Sequence, residues 1–175
     1  GEFFLSSDAV GHTYSNIKSM SHIISKIPSE EIDSFYSLCS TIGAYIIYPS
    51  KRVDKKMTIN GARGTNGKIK DRFDLTLECI RRFYLEQKSP LYDTLLRYKY
   101  FFDLFNDFIG YIRFFLLEDL IDENQKIKFY LPYDEFKTPP TFSSTDEYLF
   151  YKKNVMNFIS QRNHRIKDYV QPIIK

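Results

Sequence analysis

The chain of 175 residues contains no tryptophan, two cysteines and three histidines. Cys39 and Cys79 lie among apolar residues outside any CxxC pair, so the sequence predicts reduced cysteines rather than a disulfide. His12, His22 and His164 lack the spacing of metal ligands, so no metal site is predicted. Nothing in the sequence identifies a cofactor.

The chain also lacks a long uncharged apolar run and a recognisable signal peptide. Residues 101–117 are strongly apolar but contain Asp103, Asn106, Asp107 and Arg113. A membrane-spanning helix needs about 20 largely uncharged residues. The sequence therefore predicts a core helix here, no membrane association and a cytoplasmic protein.

Neither sign of charge is in large excess, since 25 basic and 22 acidic residues leave a net charge of +3. Dedicated nucleic-acid binders are usually more basic on one face. The balance does not indicate a DNA-binding module, but it does not exclude contact with RNA. An anionic small molecule and a protein partner both stay open.

Apolar and aromatic residues are plentiful. They make up 43% and 17% of the chain, with 16 Phe and 14 Tyr, which is enough for a sizeable core. The length predicts one domain spanning residues 1–175. Because the sequence begins with Gly1 and not Met, we expect a cleaved chain or a fragment.

The pattern of apolar residues predicts an α+β fold, mainly helical, with a small antiparallel or mixed sheet. Strands are predicted at residues 2–5, 44–48 and 126–131, and at residues 57–60 as the return strand of a hairpin. Helices are predicted from Ser29 to about Gly43, at residues 70–87, at 108–121, and from Ser144 to about Val170. A further helix is predicted from Ser89, with an apolar stripe from Leu91 to Phe105, and Asn106 and Asp107 break it.

The most unusual stretch is residues 58–84, in which Gly61, Gly64 and Gly67 form a predicted loop before a helix. The start of a helix offers free N–H groups that bind anions, and Arg63 and Lys68 add positive charge. The glycines match neither a P-loop nor a dinucleotide-binding motif. The alternative explanation is that the three glycines serve tight turns, and the residues favour this explanation over an anion site.

Charged residues of the helix fall on one stripe, namely Lys70, Asp71, Asp74, Glu78, Arg81 and Arg82. A solvated face with ion pairs within the helix is the simpler interpretation. A cleft lined by carboxylates and arginines is the alternative, because the apolar arc of this helix is very wide. Arg72 falls inside that arc, where a charge needs a partner unless it reaches solvent.

The polar and charged residues of the 58–84 stretch define the candidate site. Asp74 or Glu78 is the hypothetical general base, and Arg63 and Arg72 would hold an anionic group. The full set of candidate ligand-binding residues is Asn60, Arg63, Lys68, Asp71, Arg72 and Arg81.

The same stretch resembles a known family. The matching residues are Ile59-Asn60-x-Ala62-Arg63-Gly64 and the run Ile69-x-Asp71-Arg72-Phe73-Asp74-Leu75-Thr76-Leu77-Glu78-Cys79-Ile80-Arg81-Arg82-x-Tyr84. They resemble DUF6994, an uncharacterised bacterial family of unknown function. The resemblance is strongest over residues 59–120 and implies a bacterial protein, but it implies no activity. Because residues 1–8 resemble an internal stretch of the family, the resemblance also implies that the sequence is a fragment lacking an N-terminal segment.

Two other functions stay open. An interaction or regulatory module, such as a component of a phage-defence system, would use exposed tyrosines, with Tyr98, Tyr100, Tyr111 and Tyr151 as candidates. An RNA-cleaving toxin would use Arg162 and His164, although a solvated basic turn explains that pair better. Residues 6–8 are expected to cap a helix, with membership of a site as the alternative.

Overall fold

The computed structural model describes residues 4–11 and 20–173. This part of the chain contains eight α-helices and one two-stranded sheet, which confirms the α+β class. The elements are β1 (Leu5–Ala9), α1 (Ser21–Ile24), α2 (Ser29–Cys39), β2 (Tyr45–Pro49), α3 (Ile59–Thr65), α4 (Phe73–Tyr84), α5 (Tyr92–Arg97), α6 (Lys99–Phe102), α7 (Phe108–Phe114) and α8 (Thr145–Val170). No helix in the described ranges is long and apolar enough to cross a membrane.

The sheet pairs β1 and β2 in antiparallel orientation, with Leu5 opposite Pro49 and Ala9 opposite Tyr45. Side chains alternate between the two faces of a strand. Asp8 therefore shares a face with the fully buried Tyr48, while Tyr45 lies on the more exposed face. The predicted strand at residues 44–48 is shifted by one residue, and that at 2–5 falls partly on residues that the structure does not describe.

The predicted hairpin is wrong, because residues 57–60 do not return along β2. Thr58 instead caps α3, and its Oγ1 accepts a hydrogen bond from the Gly61 N–H. The predicted loop at residues 61–67 is helical as far as Thr65. Glycine disfavours helix, so tertiary contacts outweigh local preference here. At Gly64, for example, the Asp71 side chain packs so closely that a Cβ atom would lie 3.1 Å from its Oδ2.

Helix α4 is central, and it is shorter at both ends than the predicted helix at residues 70–87. Lys70 and Asp71 have left-handed backbone angles, so the helix begins only after Arg72. Glu86 is also left-handed and ends it. Buried side chains of α4 face every direction around the helix axis, so other parts of the chain cover this helix on all sides.

The predicted stripe from Leu91 to Phe105 is buried, as expected. Its residues lie on two short helices, α5 and α6, and a 3-10 turn. Asn106 and Asp107 interrupt the helices as predicted, and Asp107 caps α7. The long central helix predicted at 108–121 is wrong, because α7 ends at Phe114, which is 68% exposed.

The predicted strand at residues 126–131 is also wrong. Only an isolated bridge joins Ile121 to Ile127. The Tyr130 N–H donates to the Asp74 carboxylate at 2.9 Å instead of to a neighbouring strand. An alternating pattern forms a strand only where a partner strand is available.

Helix α8 agrees with the prediction from its first turn to Val170. Ser144 Oγ accepts from the Glu147 N–H at 3.2 Å, and Glu147 reaches back to the Ser143 N–H at 2.7 Å. On its inner face, Tyr148, Tyr151, Val155 and Ile159 are buried, and Ile166 is half-buried. Helix α2 begins at Ser29 as predicted but ends at Cys39, before Gly43.

Candidate functional site

Arg63 is a fully buried guanidinium in the middle of the 58–84 segment. Its Nε donates to Thr76 Oγ1 at 2.9 Å, and its Nη2 donates to the carbonyl oxygens of Ala9 and Asp71 at 3.2 and 3.1 Å. Its Nη1 forms an ion pair with Asp8. Each nitrogen has a partner in the protein, so Arg63 joins β1, α3 and α4.

Aromatic rings surround the same guanidinium. Arg63 Cζ lies 5.7 Å from the ring centre of Tyr48 and 5.8 Å from that of Phe73. Burial by itself lowers the pKa of Arg63, but electrostatic interactions with Tyr48 and Asp8 outweigh it and raise that pKa above its ordinary value. Arg63 is therefore a permanent charge inside the core.

Arg72 is buried and paired, which answers the question that its helical position raised. Its Nε donates to Asp74 Oδ1 at 3.1 Å, and its Nη2 donates to Asp74 Oδ2. Asp74 is fully buried, and its Oδ2 also accepts the Tyr130 N–H. Both carboxylate oxygens of Asp74 are occupied, so it holds Arg72 in place.

Glu78 is buried too, which contradicts the interpretation of the charged stripe as a solvated face. Its two oxygens accept from Arg81 Nε and Nη2 at 2.8 and 3.0 Å. Arg82 Nε donates to Glu78 at 2.8 Å, and Arg82 Nη2 reaches Tyr133 and Glu135. The ion pairs within the helix exist as the simpler interpretation expected, but the carboxylate that makes them is in the core.

Asn60 and residues 6–8 complete the internal network. Asn60 Nδ2 donates to Ser6 Oγ at 3.1 Å and to the Ser7 carbonyl at 3.3 Å. Together with Arg63, it covers the outer edge of β1 and so protects an unpaired strand edge. The expectation that residues 6–8 cap a helix is wrong, because they belong to β1.

A cleft opens beside this network, and we name it the Lys68 cleft. It consists of two adjoining pockets of about 560 and about 310 Å³ that share Lys68 and Phe136. Basic residues on its walls are Lys68, Arg72, Arg82 and Lys88, and acidic residues are Asp134, Glu135 and Glu147. Of the candidate ligand-binding residues, Lys68 and Arg72 line the cleft, whereas Asn60, Arg63, Asp71 and Arg81 do not.

The acidic residues of the cleft are already engaged. Asp134 accepts from the N–H groups of Lys137 and Thr138 at 3.0 and 2.8 Å. Glu147 caps α8, and Glu135 pairs with Arg82. By contrast, Lys68 makes no ion pair with any residue in the described ranges. Its ammonium group is therefore the cleft's available charge.

Three of the four tyrosines expected to form an exposed aromatic surface are buried. Tyr98, Tyr111 and Tyr151 are fully enclosed, and Tyr100 alone of the four is exposed. The Tyr98 hydroxyl donates to the Lys51 carbonyl at 3.0 Å. The prediction of an exposed surface formed by these tyrosines is therefore wrong, because three of the four fill the core.

Arg162 and His164 do not form a joint site. Arg162 is 5% exposed and donates to the carbonyl oxygens of Phe115, Gly43 and Tyr45. His164 is exposed, and its Nδ1 lies 2.7 Å from the carbonyl oxygen of its own helix at position 160. The arginine is held inside the fold and the histidine lies outside it.

The remaining reactive groups are isolated. In the described ranges, no three His, Cys, Asp or Glu side chains are close enough to hold a metal ion, and His12 lies outside those ranges. Cys39 and Cys79 are both free thiols. Burial raises the pKa of Cys39 to about 11 and that of Cys79 to about 12, which makes both poor nucleophiles at neutral pH.

Residues 1–166 match the model described as "Family of unknown function (DUF6994)". The chain belongs to the DUF6994 family. The match covers β1, the buried network and the Lys68 cleft, as well as most of α8. No match is found among curated proteins or among solved structures.

Sequence reasoning missed the partners that the fold brings from elsewhere. Asp8 is separated from Arg63 by 55 residues, and Glu135 from Arg82 by 53. Thr76 lies outside the predicted charged stripe of α4, yet its Oγ1 accepts a hydrogen bond from Arg63 Nε. Its position four residues after Arg72 is the available signal, because threonine can bond a carbonyl one turn earlier, as it does here at 3.0 Å.

Proposed function

We propose that this DUF6994 chain binds an anionic small molecule in the Lys68 cleft. The observation that carries the proposal is the unpaired Lys68 at the junction of two pockets whose acidic side chains are engaged elsewhere. An ammonium group without an internal partner can form charge-assisted hydrogen bonds with a ligand. The size of the larger pocket, about 560 Å³, lies in the range of small-molecule sites.

Other groups on the wall support binding of an anion. Gly67 and Lys68 follow the end of α3, and a Cβ at Gly67 would meet nothing within 4 Å, so a ligand has room at the backbone. Ser89 lines the same pocket, and apart from a contact with the Cys79 thiol its buried Oγ has no hydrogen-bond partner in the described part of the chain. Lys88, which lies next to it, pairs with the highly exposed Asp93 at 3.6 Å and lies 4.3 Å from the ring centre of Tyr92.

The buried acids have a supporting role in this proposal and not a catalytic one. A general base needs a lone pair that can reach the substrate. Asp74 and Glu78 are buried and each accepts several N–H groups. Asp74 holds Arg72, and Glu78 holds Arg82, each at the wall of the cleft. We therefore assign both carboxylates to the positioning of cleft arginines.

Calorimetric titration with inorganic pyrophosphate tests the proposal, with citrate as a second anion. We expect Lys68→Gln to weaken binding at least roughly tenfold, since one charge-assisted hydrogen bond contributes about 1.5 to 3 kcal/mol. Lys70→Gln is the matched control, because it removes a charge from the same turn without lining the cleft. Equal losses for the two variants, or no binding of either anion by the unmodified protein, would contradict the proposal.

A second variant should change binding in the opposite direction. Glu135 is the exposed acid that occupies Arg82 Nη2. Glu135→Gln removes a negative charge from the cleft and the ion pair at Arg82 Nη2, while Arg82 keeps its bonds to Glu78 and Tyr133. We expect tighter binding of pyrophosphate, and weaker binding would show that Glu135 itself contacts the ligand.

A further inference from the structure

A second depression in the surface shares no lining residue with the Lys68 cleft, and we name it the Arg162 groove. Its volume is about 310 Å³. Most of its walls are apolar side chains of β2, α7, α8 and the residues next to them, and its polar groups belong to Ser7, Tyr45 and Arg162. Phe114 and Ile47 on its rim are 68% and 42% exposed, so the groove presents apolar surface to solvent.

Arg162 differs from the other two buried arginines. Arg63 and Arg72 each pair with a carboxylate. In the described ranges Arg162 has none, and the groups that bond it are three carbonyl oxygens. A buried guanidinium without a counter-charge is costly, because carbonyl dipoles replace only part of the lost hydration.

The hydrogen bonds of Arg162 leave one nitrogen available. Nε donates to the Phe115 carbonyl at 3.0 Å, and Nη1 donates to the carbonyls of Gly43 and Tyr45 at 2.9 and 2.6 Å. Nη2 has no acceptor in the described part of the chain. Arg162 lines the groove, and we assign this nitrogen, its one donor without an acceptor, to the binding of an anion there.

We propose that the Arg162 groove binds a monocarboxylic acid with an apolar chain, of the medium-chain fatty-acid class. The carboxylate accepts from Arg162 Nη2, and the chain lies against the side chains of Ile47 and Phe114. The ligand thus supplies the missing counter-charge and covers the exposed apolar rim. This site is independent of the anion proposed for the Lys68 cleft.

The number of donors favours a carboxylate over a phosphate. A phosphate group has more oxygens and up to two charges that need hydrogen-bond donors when removed from water. The groove offers one free guanidinium nitrogen and the hydroxyl groups of Ser7 and Tyr45. A carboxylate has two oxygens and a single charge, which these three neutral or singly charged donors can satisfy, and a single guanidinium matches one negative charge better than two.

Calorimetric titration of the full chain with decanoate and 1-decanol tests the proposal. Both ligands have ten carbons, but only decanoate carries a charge. We expect decanol to bind at least roughly tenfold more weakly, as for the loss of a charge-assisted hydrogen bond. From hexanoate to decanoate, affinity should rise roughly threefold for each added methylene group.

Two matched variants locate the site. Ile47→Asp places a negative charge on the groove, and Leu96→Asp does the same at a similarly exposed position, 42% against 48%, outside it. Neither position is buried, so both proteins should fold. We expect Ile47→Asp to weaken decanoate binding at least roughly tenfold and Leu96→Asp to leave it unchanged.

Several outcomes would overturn the proposal. Equal affinity for decanol and decanoate would show that Arg162 contributes nothing. Equal losses for the two variants would place the fatty acid elsewhere. Binding of a peptide with an apolar C-terminus, without binding of decanoate, would make the groove a peptide site. A dimer that Ile47→Asp dissociates and decanoate does not affect would make it an interface between two copies.

Discussion

Replacement of Arg63 by methionine would test whether the buried charges of residues 58–84 support the core. Methionine keeps much of the length of arginine but removes the guanidinium. The change leaves Asp8 without its counter-charge, and Thr76 and two carbonyl oxygens lose a donor. Rings of Tyr48 and Phe73 also lose the cation beside them.

The structure sets the size of this effect. Removal of one partner from a buried ion pair costs about 3 to 5 kcal/mol. The Asp8 side chain is 23% exposed, so water partly replaces Arg63 and the lower value, about 3 kcal/mol, applies. For a chain of this length, that loss corresponds to a fall in Tm of about 6 to 12 °C.

Urea unfolding followed by circular dichroism measures the change. Lys68→Gln is the control, because it alters an exposed charge in the same segment and should change the free energy of unfolding by less than about 0.5 kcal/mol. If Arg63→Met lowers the free energy of unfolding by less than about 1 kcal/mol, the buried guanidinium does not support the core. A double-mutant cycle with Asp8→Asn should show that the two single effects are not additive.

Three further predictions concern local geometry and titration. Glu86 has a φ of 55° at the end of α4, so Glu86→Gly should raise the free energy of unfolding by about 1 kcal/mol, and a loss in urea unfolding would contradict this. A Cβ at Gly110 would lie 1.9 Å from a backbone carbonyl oxygen, so Gly110→Ala should cost about 2 kcal/mol or more, and an unchanged Tm would contradict that contact. Burial raises the pKa of Cys39 from 9.0 to about 11 and that of Cys79 from 9.0 to about 12, so the folded state disfavours both thiolates. The free energy of unfolding is therefore unaffected by these thiols below pH 9 and falls as the pH rises toward 11 and 12. Urea unfolding from pH 8 to 11 should show this fall, and the fall should be smaller in Cys39→Ala.

Local signals predicted the helices best. The Ser144 cap, the glutamate three residues later and a regular apolar stripe all act within a few residues, and α8 follows them closely. The break at Asn106 and Asp107 was predicted for the same reason, since Asp107 bonds an N–H only three residues away. Such features depend little on the rest of the fold.

Strand pairing could not be predicted in this way. The chain pairs β2 with β1, which precedes it by about 40 residues, and not with residues 57–60 next to it. Local composition contains no information about that choice. Residues 126–131 alternate like a strand, yet Asp74 takes the Tyr130 N–H and only one bridge forms.

The sequence predicted a group of charged residues at the candidate site. It did not predict which of them are buried in ion pairs and which line the cleft. A helical plot identified Arg72 as unusual, and the structure gives it Asp74 as a partner. The plot placed Asp74 and Glu78 on a polar stripe, whereas the fold buries both. The protein covers α4 on that side with residues 130–136, whose contacts with α4 span more than fifty residues of sequence.

A ¹H–¹⁵N NMR titration of the protein with pyrophosphate tests directly whether Lys68 marks a cleft for an anionic ligand while the buried arginines and acids support the fold. We predict saturable shifts of the amide signals at Asn66, Gly67, Lys68, Ser89 and Phe136, and their loss in Lys68→Gln. Absence of shifts, or shifts centred on residues outside the cleft, would contradict the account.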